Sequence, residues 1–279
     1  ILGQKYYAVS KLLFTKRTDL GEARKMKTRR QTLRILALSP FVLYSSVALP
    51  VRQIPSVEQL KAGYRRRLTE KLGRNVVPYI DIESSCNPGQ LDIDSVASAM
   101  DSLDIGLMAL SADVGGGQFA RGIRYDALAS RLVGKYPDRF IPVGNGGVPP
   151  SWTRDTGAFL TSYEHDVNDG NCLLMGEFEF RHYPSPRQVQ RGQNRDETVP
   201  IDGEIGHRVF RLSEASGLAF QIHYEIEDEL LPPLEKMLAH YPKAKVIWCH
   251  LAQVRYLERA PSYSPAYVEG LIGKFPNLY

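Results

Sequence analysis

Apolar positions along this chain follow two alternating patterns. Short runs rich in β-branched and aromatic residues lie at 76–82, 105–110, 140–144, 173–180, 218–223 and 244–249, and 277–279 reads as the start of another. Between them, apolar residues recur three and four apart. Val96, Ala97, Met100 and Leu103 form one such set, and Leu128, Leu132, Val133 and Tyr136 the next. Ile205, Val209 and Leu212 follow, then Leu230, Leu231, Leu234, Met237, Leu238 and Tyr241, and finally Val268, Leu271, Ile272 and Phe275. The runs are strand-like and the spaced sets are helical. Strand alternating with helix predicts an α/β protein with a parallel sheet covered by helices. Gly115-Gly116-Gly117 lacks the spacing of a dinucleotide fingerprint and reads as a flexible loop. Six runs with a seventh starting favour a (β/α)8 TIM-like barrel over a Rossmann sheet. Because the chain stops as the seventh begins, the expectation is a C-terminally truncated barrel lacking at least strand eight.

Residues before the first run do not follow this rhythm. Met26 opens a basic stretch to Arg34, an apolar stretch spans 35–49, and Ser46-Val47-Ala48 suits a small-x-small cleavage site. That order is an export signal, and its apolar part is shorter than the ~20 residues of a membrane span. Thr28-Arg29-Arg30-Gln31-Thr32-Leu33 resembles a twin-arginine signal, with Thr32 where that pattern usually has Phe. The expected organisation is an upstream segment outside the native protein at 1–25, an export signal at 26–48, a helical extension at 49–75 and the partial barrel at 76–279. The expected location is periplasmic or secreted, with no stable membrane span after processing. Ser56-Val57-Glu58-Gln59 is a capping box, and Val57, Leu60, Tyr64, Leu68 and Leu72 mark the helical face it starts. The Arg65-Arg66-Arg67 run then reads as a solvated face.

Composition narrows the classes. The chain has 279 residues, 43% hydrophobic and 24% charged, as in ordinary globular proteins. Its net charge of +4 comes from Lys/Arg-rich stretches at 16–34 and 61–74, which argues against a nucleic-acid surface. Cys86, Cys172 and Cys249 lack metal-type spacing and read as buried thiols. A small-molecule substrate is the expected partner, and a homo-oligomer is compatible with the sequence.

The chemistry gathers at the carboxyl ends of the runs, where α/β folds place their ligands. His223 and His250 each end a run, and the helix between them makes a βαβ unit, so the two imidazoles stand on adjacent parallel strands. The same reading gives Asp81, Glu83, Asp113, Asn145, Glu177 and Glu179. Glu177 and Glu179 alternate with Phe178 and Phe180, so both carboxylates point one way. Something positive must meet them: a divalent cation, or arginines such as Arg181 or Arg255. Arg181 and His182 are candidate substrate-binding residues. The polar segment 181–200 reads as a long loop able to form a lid. Trp152 and Phe119 are candidate pocket residues, and Trp248 a core residue.

Tyr79-Ile80-Asp81, Gly176-Glu177, His223 and His250, with Tyr136-Pro137-Asp138-Arg139-Phe140-Ile141-Pro142 and Phe275-Pro276-Asn277-Leu278-Tyr279, resemble the amidohydrolase superfamily, in its amidohydrolase-related branch of metal-dependent hydrolases. The resemblance runs from about Val76 to the end. It implies a (β/α)8 barrel with one or two divalent metals at the strand ends, zinc being the first choice. His223, His250 and Glu177 match family ligands, with Glu179 a second choice. The family's His-x-His at the first strand is replaced by Glu83-Ser84-Ser85, where Glu83 can still ligate through oxygen. The family's strand-eight Asp, which activates the metal-bound water, falls beyond Tyr279. The implied activity is hydrolysis of an amide, ester or lactone by a metal-activated water. Decarboxylation of an aromatic or related acid is the nearest rival. A metal-free barrel with a binding role, held together by Glu83 salt bridges, is the reading from a different class.

Overall fold

The computed structural model describes residues 55–112, 126–144, 146–147, 151–170, 172–250 and 255–279. The upstream segment, the export signal and the first residues of the helical extension lie outside them, as do Asp113, Phe119 and Asn145.

Helix α1 (Val57–Gly73) starts at the capping box: Ser56 Oγ accepts from the Gln59 N–H, and Gln59 Oε1 accepts from the Ser56 N–H. Its packed face is rotated from the expected one. Leu60, Gly63, Tyr64, Arg67 and Lys71 are buried, while Leu72 is exposed. Arg65 and Arg66 are solvated as expected, but Arg67 turns inward and donates to the carbonyls of Gly106 and Ile105 and to Asp101. An arginine can serve a core-facing position because its aliphatic stem packs while its head finds acceptors.

Strand β1 (Tyr79–Cys86) is followed by α2 (Ile93–Ser102), β2 (Ile105–Ala112) and α3 (Asp126–Lys135). Helices α4 (Ser151–Arg154) and α5 (Thr156–Asn168) precede β3 (Leu174–His182). Helix α6 (Pro186–Gln190), the short strand β4 (Glu197–Thr198) and helix α7 (Glu204–Ser216) lead to β5 (Ala219–Tyr224). Helix α8 (Leu231–His240), β6 (Lys245–Cys249) and α9 (Pro265–Lys274) complete the described order. Two features depart from the expected pattern. The run at 140–144 forms isolated parallel bridges, Met108 to Phe140 and Val143 to Leu174, and not a full strand. Helix α5 fills a gap where no periodicity had been assigned.

Among the described residues, all neighbours pair in parallel and in sequence order except β4. β1 pairs with β2, β2 bridges to Phe140, Val143 bridges to β3, β3 pairs with β5, β5 with β6, and Val246 with Leu278. One face of this series packs under the helices. Phe178, Phe180, Phe220, Ile222, Val246 and Trp248 meet Leu160, Val209, Phe210, Leu234 and Leu271 there. On the other face Ile82, Ala109, Val143, Leu174, Ala219 and Ile247 form a single cluster. Six successive segments can share one small cluster only if the sheet curls, and the Gln221 amide donating to the Ile82 carbonyl at 2.9 Å ties β5 directly to β1. Among the described residues no pairing joins β1 to the Leu278 segment, and no helix is long and apolar enough to cross a membrane. Cys86, Cys172 and Cys249 are all buried, as expected.

Trp152 corrects the sequence reading. It is fully buried, edge-on to Phe178 and Phe180, and belongs to the helix-side core and not to a pocket. Trp248 is buried as expected and donates its indole N–H to the Tyr224 carbonyl. The segment 181–200 folds back on its own strand through β4, which pairs antiparallel with β3.

Candidate metal centre

Three irregularities in strand register decide which side chains meet. The first lies between Asp81 and Ser84 of β1. Asp81 accepts from the Glu83 N–H and the Ser84 hydroxyl, so its carboxylate braces the bulge from which Glu83 projects. The second lies between Leu174 and Glu177. Gly176 has φ +87°, and a Cβ there would meet the Gly144 carbonyl oxygen at 2.5 Å. Only glycine takes that conformation at that approach, and the extra residue turns Glu177 onto the inner face beside Gln221. The third lies between Glu179 and Arg181. It puts Arg181 opposite Tyr224 and brings His182 round to His223, ring centroids 5.1 Å apart.

Glu177, His223 and His250 converge. Glu177 Oε1 lies 3.0 Å from His223 Nδ1 and 3.4 Å from His250 Nε2. Glu83 Oε1 lies 3.0 Å from His250 Nε2. The two imidazole rings are 4.8 Å apart, edge to face. His250 reaches this place with φ +57°, a left-handed backbone that costs roughly 1–3 kcal/mol in a non-glycine residue and is characteristic of functional positions. Behind His223, Glu225 Oε1 lies 3.3 Å from Nε2 and 2.9 Å from Arg255 Nη1. Glu225 was not among the sequence candidates, although its two-residue offset from His223 was a usable signal.

The remaining candidates have other partners. Glu179 is buried in a bidentate pair with Arg195, 2.6 and 2.9 Å. The Arg181 guanidinium is buried and held by Glu227 at 2.8 Å, by Asp196 and by the carbonyls of His182 and Glu197, so the third bulge separates it from the substrate-binding role expected for it. His182 is buried at the site and its Nδ1 has no hydrogen-bond partner.

Electrostatics follow from these contacts. Burial pushes the Glu177 carboxyl up, but hydrogen bonds from His223 and His250 outweigh it and bring it down to about 2. Burial pushes His223 down, but Glu177 and Glu225 outweigh it and raise it to about 9. Hydrogen bonds to Glu177 and Glu83 raise His250 to about 10. His182 is pushed down to about 4, by burial first and then by the positive charge of Arg195; it is neutral near pH 7.

The donor set fits a divalent cation. The ligand atoms of Glu177, His223 and His250 all lie within 4.8 Å of one another. Tetrahedral bonds of 2.0–2.1 Å place donor atoms about 3.3 Å apart, close to the 3.0 and 3.4 Å separations here. Without an ion, the two imidazoliums fill the same role against the carboxylates.

No family model matches the chain, and no curated protein matches it. Solved structures similar to it include 2,6-dihydroxybenzoate decarboxylase complexed with 2,6-dihydroxybenzoate (14% identity, 62% of this chain and 67% of that one, TM-score 0.41). Others are 5-carboxyvanillate decarboxylase from Sphingomonas paucimobilis (16% identity, 72% and 76%, TM-score 0.41) and amidohydrolase 2 from Bifidobacterium longum subsp. infantis (16% identity, 72% and 71%, TM-score 0.35).

Proposed function

We propose that this chain is a metal-dependent hydrolase of amidohydrolase type, acting on a small amide, ester or lactone. The observation that carries this reading is the convergence of Glu177, within β3, on His223 and His250, which stand at the carboxyl ends of the neighbouring parallel strands β5 and β6. Those three side chains would hold a divalent cation, with Glu83 as the fourth donor. When bound, the ion supplies Lewis acidity, polarising a carbonyl oxygen and acidifying water. The chain's own residues do the rest. Glu225 and Arg255 hold the far side of His223. The curled sheet closes as a (β/α)8 barrel in this reading, with the site at its carboxyl-end face.

Decarboxylation of a carboxylic acid is the second reading. The same donor set would serve it, since an ion held by Glu177, His223 and His250 can polarise a carboxylate oxygen as well as a carbonyl.

Elemental analysis of the purified chain, beside a His223→Ala/His250→Ala double variant, tests both. The expected result is near-stoichiometric metal in the parent and none in the variant, with turnover in a screen of lactones, amides and aromatic acids. A folded, metal-supplemented parent that retains no metal would leave a metal-free binding protein.

A further inference from the structure

We propose that Glu225 is the positioning residue of His223, fixing the ring so that Nδ1 faces Glu177 and His250, and that Arg255 in turn fixes Glu225. This rests on the metal-centre reading above and assigns Glu225 and Arg255 a specific task within it.

An imidazole at the end of a strand can present either nitrogen, and its two neutral tautomers place the lone pair at opposite ends of the ring. Something must choose. Here Nδ1 is 3.0 Å from Glu177 and Nε2 is 3.3 Å from Glu225. A carboxylate that accepts from Nε2–H leaves the Nδ1 lone pair for the cluster, and it also strengthens that nitrogen as a donor. Glu225 cannot easily choose another pose. Its side chain is only 4% exposed, and its backbone N–H donates to the Arg181 carbonyl at 3.1 Å. Arg255 Nη1 sits 2.9 Å from the same Oε1 and donates to the Tyr183 carbonyl at 2.6 Å.

Arg255 does a second thing. A buried carboxylate two residues from His223 is a potential competing ligand, yet Glu225 is absent from the group whose ligand atoms converge. The guanidinium offsets its charge and occupies its oxygen, so the carboxylate faces the back of the ring and not the cluster. Arg255 lies beyond β6 and Glu225 just beyond β5, so the pair also ties the segment after β6 to the orientation of His223.

The test uses the full chain loaded with Zn²⁺ or Co²⁺, with Glu225→Ala and Glu225→Gln variants. Metal affinity is read by competition with a chromophoric chelator, and the His223 ring nitrogens by long-range ¹H–¹⁵N NMR of the Zn²⁺ form. In the parent, Nε2 carries the proton. Glu225→Ala is expected to weaken metal binding by about 10- to 100-fold and to release the single tautomer. Glu225→Gln keeps an acceptor and loses the charge, so it falls between. Should Glu225→Ala fail to fold, the Gln variant decides. Parental affinity and an unchanged His223 ring pattern in the folded variants would overturn the proposal, since a purely structural glutamate would lower the melting temperature alone. A parent that binds neither ion would instead defeat the metal reading itself.

Discussion

Metal binding to this site should release two protons per ion, and that number follows from the contacts. In the metal-free protein His223 titrates at about 9, with burial outweighed by Glu177 and Glu225. His250 titrates at about 10, raised by Glu177 and Glu83. Both imidazoles are therefore protonated at pH 7. The three carboxylates Glu83, Glu177 and Glu225 are then balanced by the two imidazoliums and Arg255. A divalent cation needs the neutral imidazoles, and exchanging two protons for one such ion leaves the local charge unchanged. Affinity should consequently climb by about two decades per pH unit below pH 8 and level off between pH 9 and 10. Isothermal titration calorimetry measures this directly. The observed enthalpy, plotted against the ionisation enthalpy of several buffers at pH 7, has a slope equal to the protons released. A slope near two is expected. Tight binding with a slope near zero would refute the reasoning, because the ion would then not be displacing imidazole protons.

The same raised values predict a pH effect on metal-free stability. Groups whose folded pKa lies above the unfolded value stabilise the fold below the unfolded pKa, and lose that contribution as pH rises through the folded one. Thermal melts of the metal-free chain should fall from about pH 6.5 to 10, and the metal-loaded chain should not follow. Gly176→Ala forces φ +87° on a residue with a Cβ and a contact with the Gly144 carbonyl; denaturant titration should show a loss of roughly 1–3 kcal/mol, with ion binding reduced because Glu177 moves. Trp152→Ala removes a fully buried ring packed on Phe178 and Phe180 and should lower stability by about 3–5 kcal/mol. Trp152→Phe should lower it far less, since it also removes an indole N–H that has no partner. Arg67→Met leaves the Gly106 and Ile105 carbonyls without this donor, while Asp101 keeps Arg139, and should cost about 1–3 kcal/mol in the same assay.

The alternation of strand and helix, the capped start of α1 and the placing of His223 and His250 side by side can be read from the residues alone. Each is local or periodic: a capping box spans four residues, and a βαβ unit fixes where two consecutive strands end. The burial of all three cysteines was legible for the same reason, since each lies in or beside an apolar run. Tertiary structure decided the aim of the side chains. Strict alternation predicts one face for Glu177, Glu179 and Arg181, whereas register slips put Glu177 against the histidines and send Arg181 to Glu227. Those slips depend on neighbours distant in sequence, such as the Gly144 backbone against Gly176. Arg67 was misread because a buried guanidinium needs carbonyls from another segment, here β2, that helical periodicity does not describe. The two-residue offset of Glu225 from His223 is visible in the residues, but its contact with Arg255, thirty residues later, exists only in the folded chain. Periodicity is a property of one element, whereas the donor geometry of this site belongs to four segments at once.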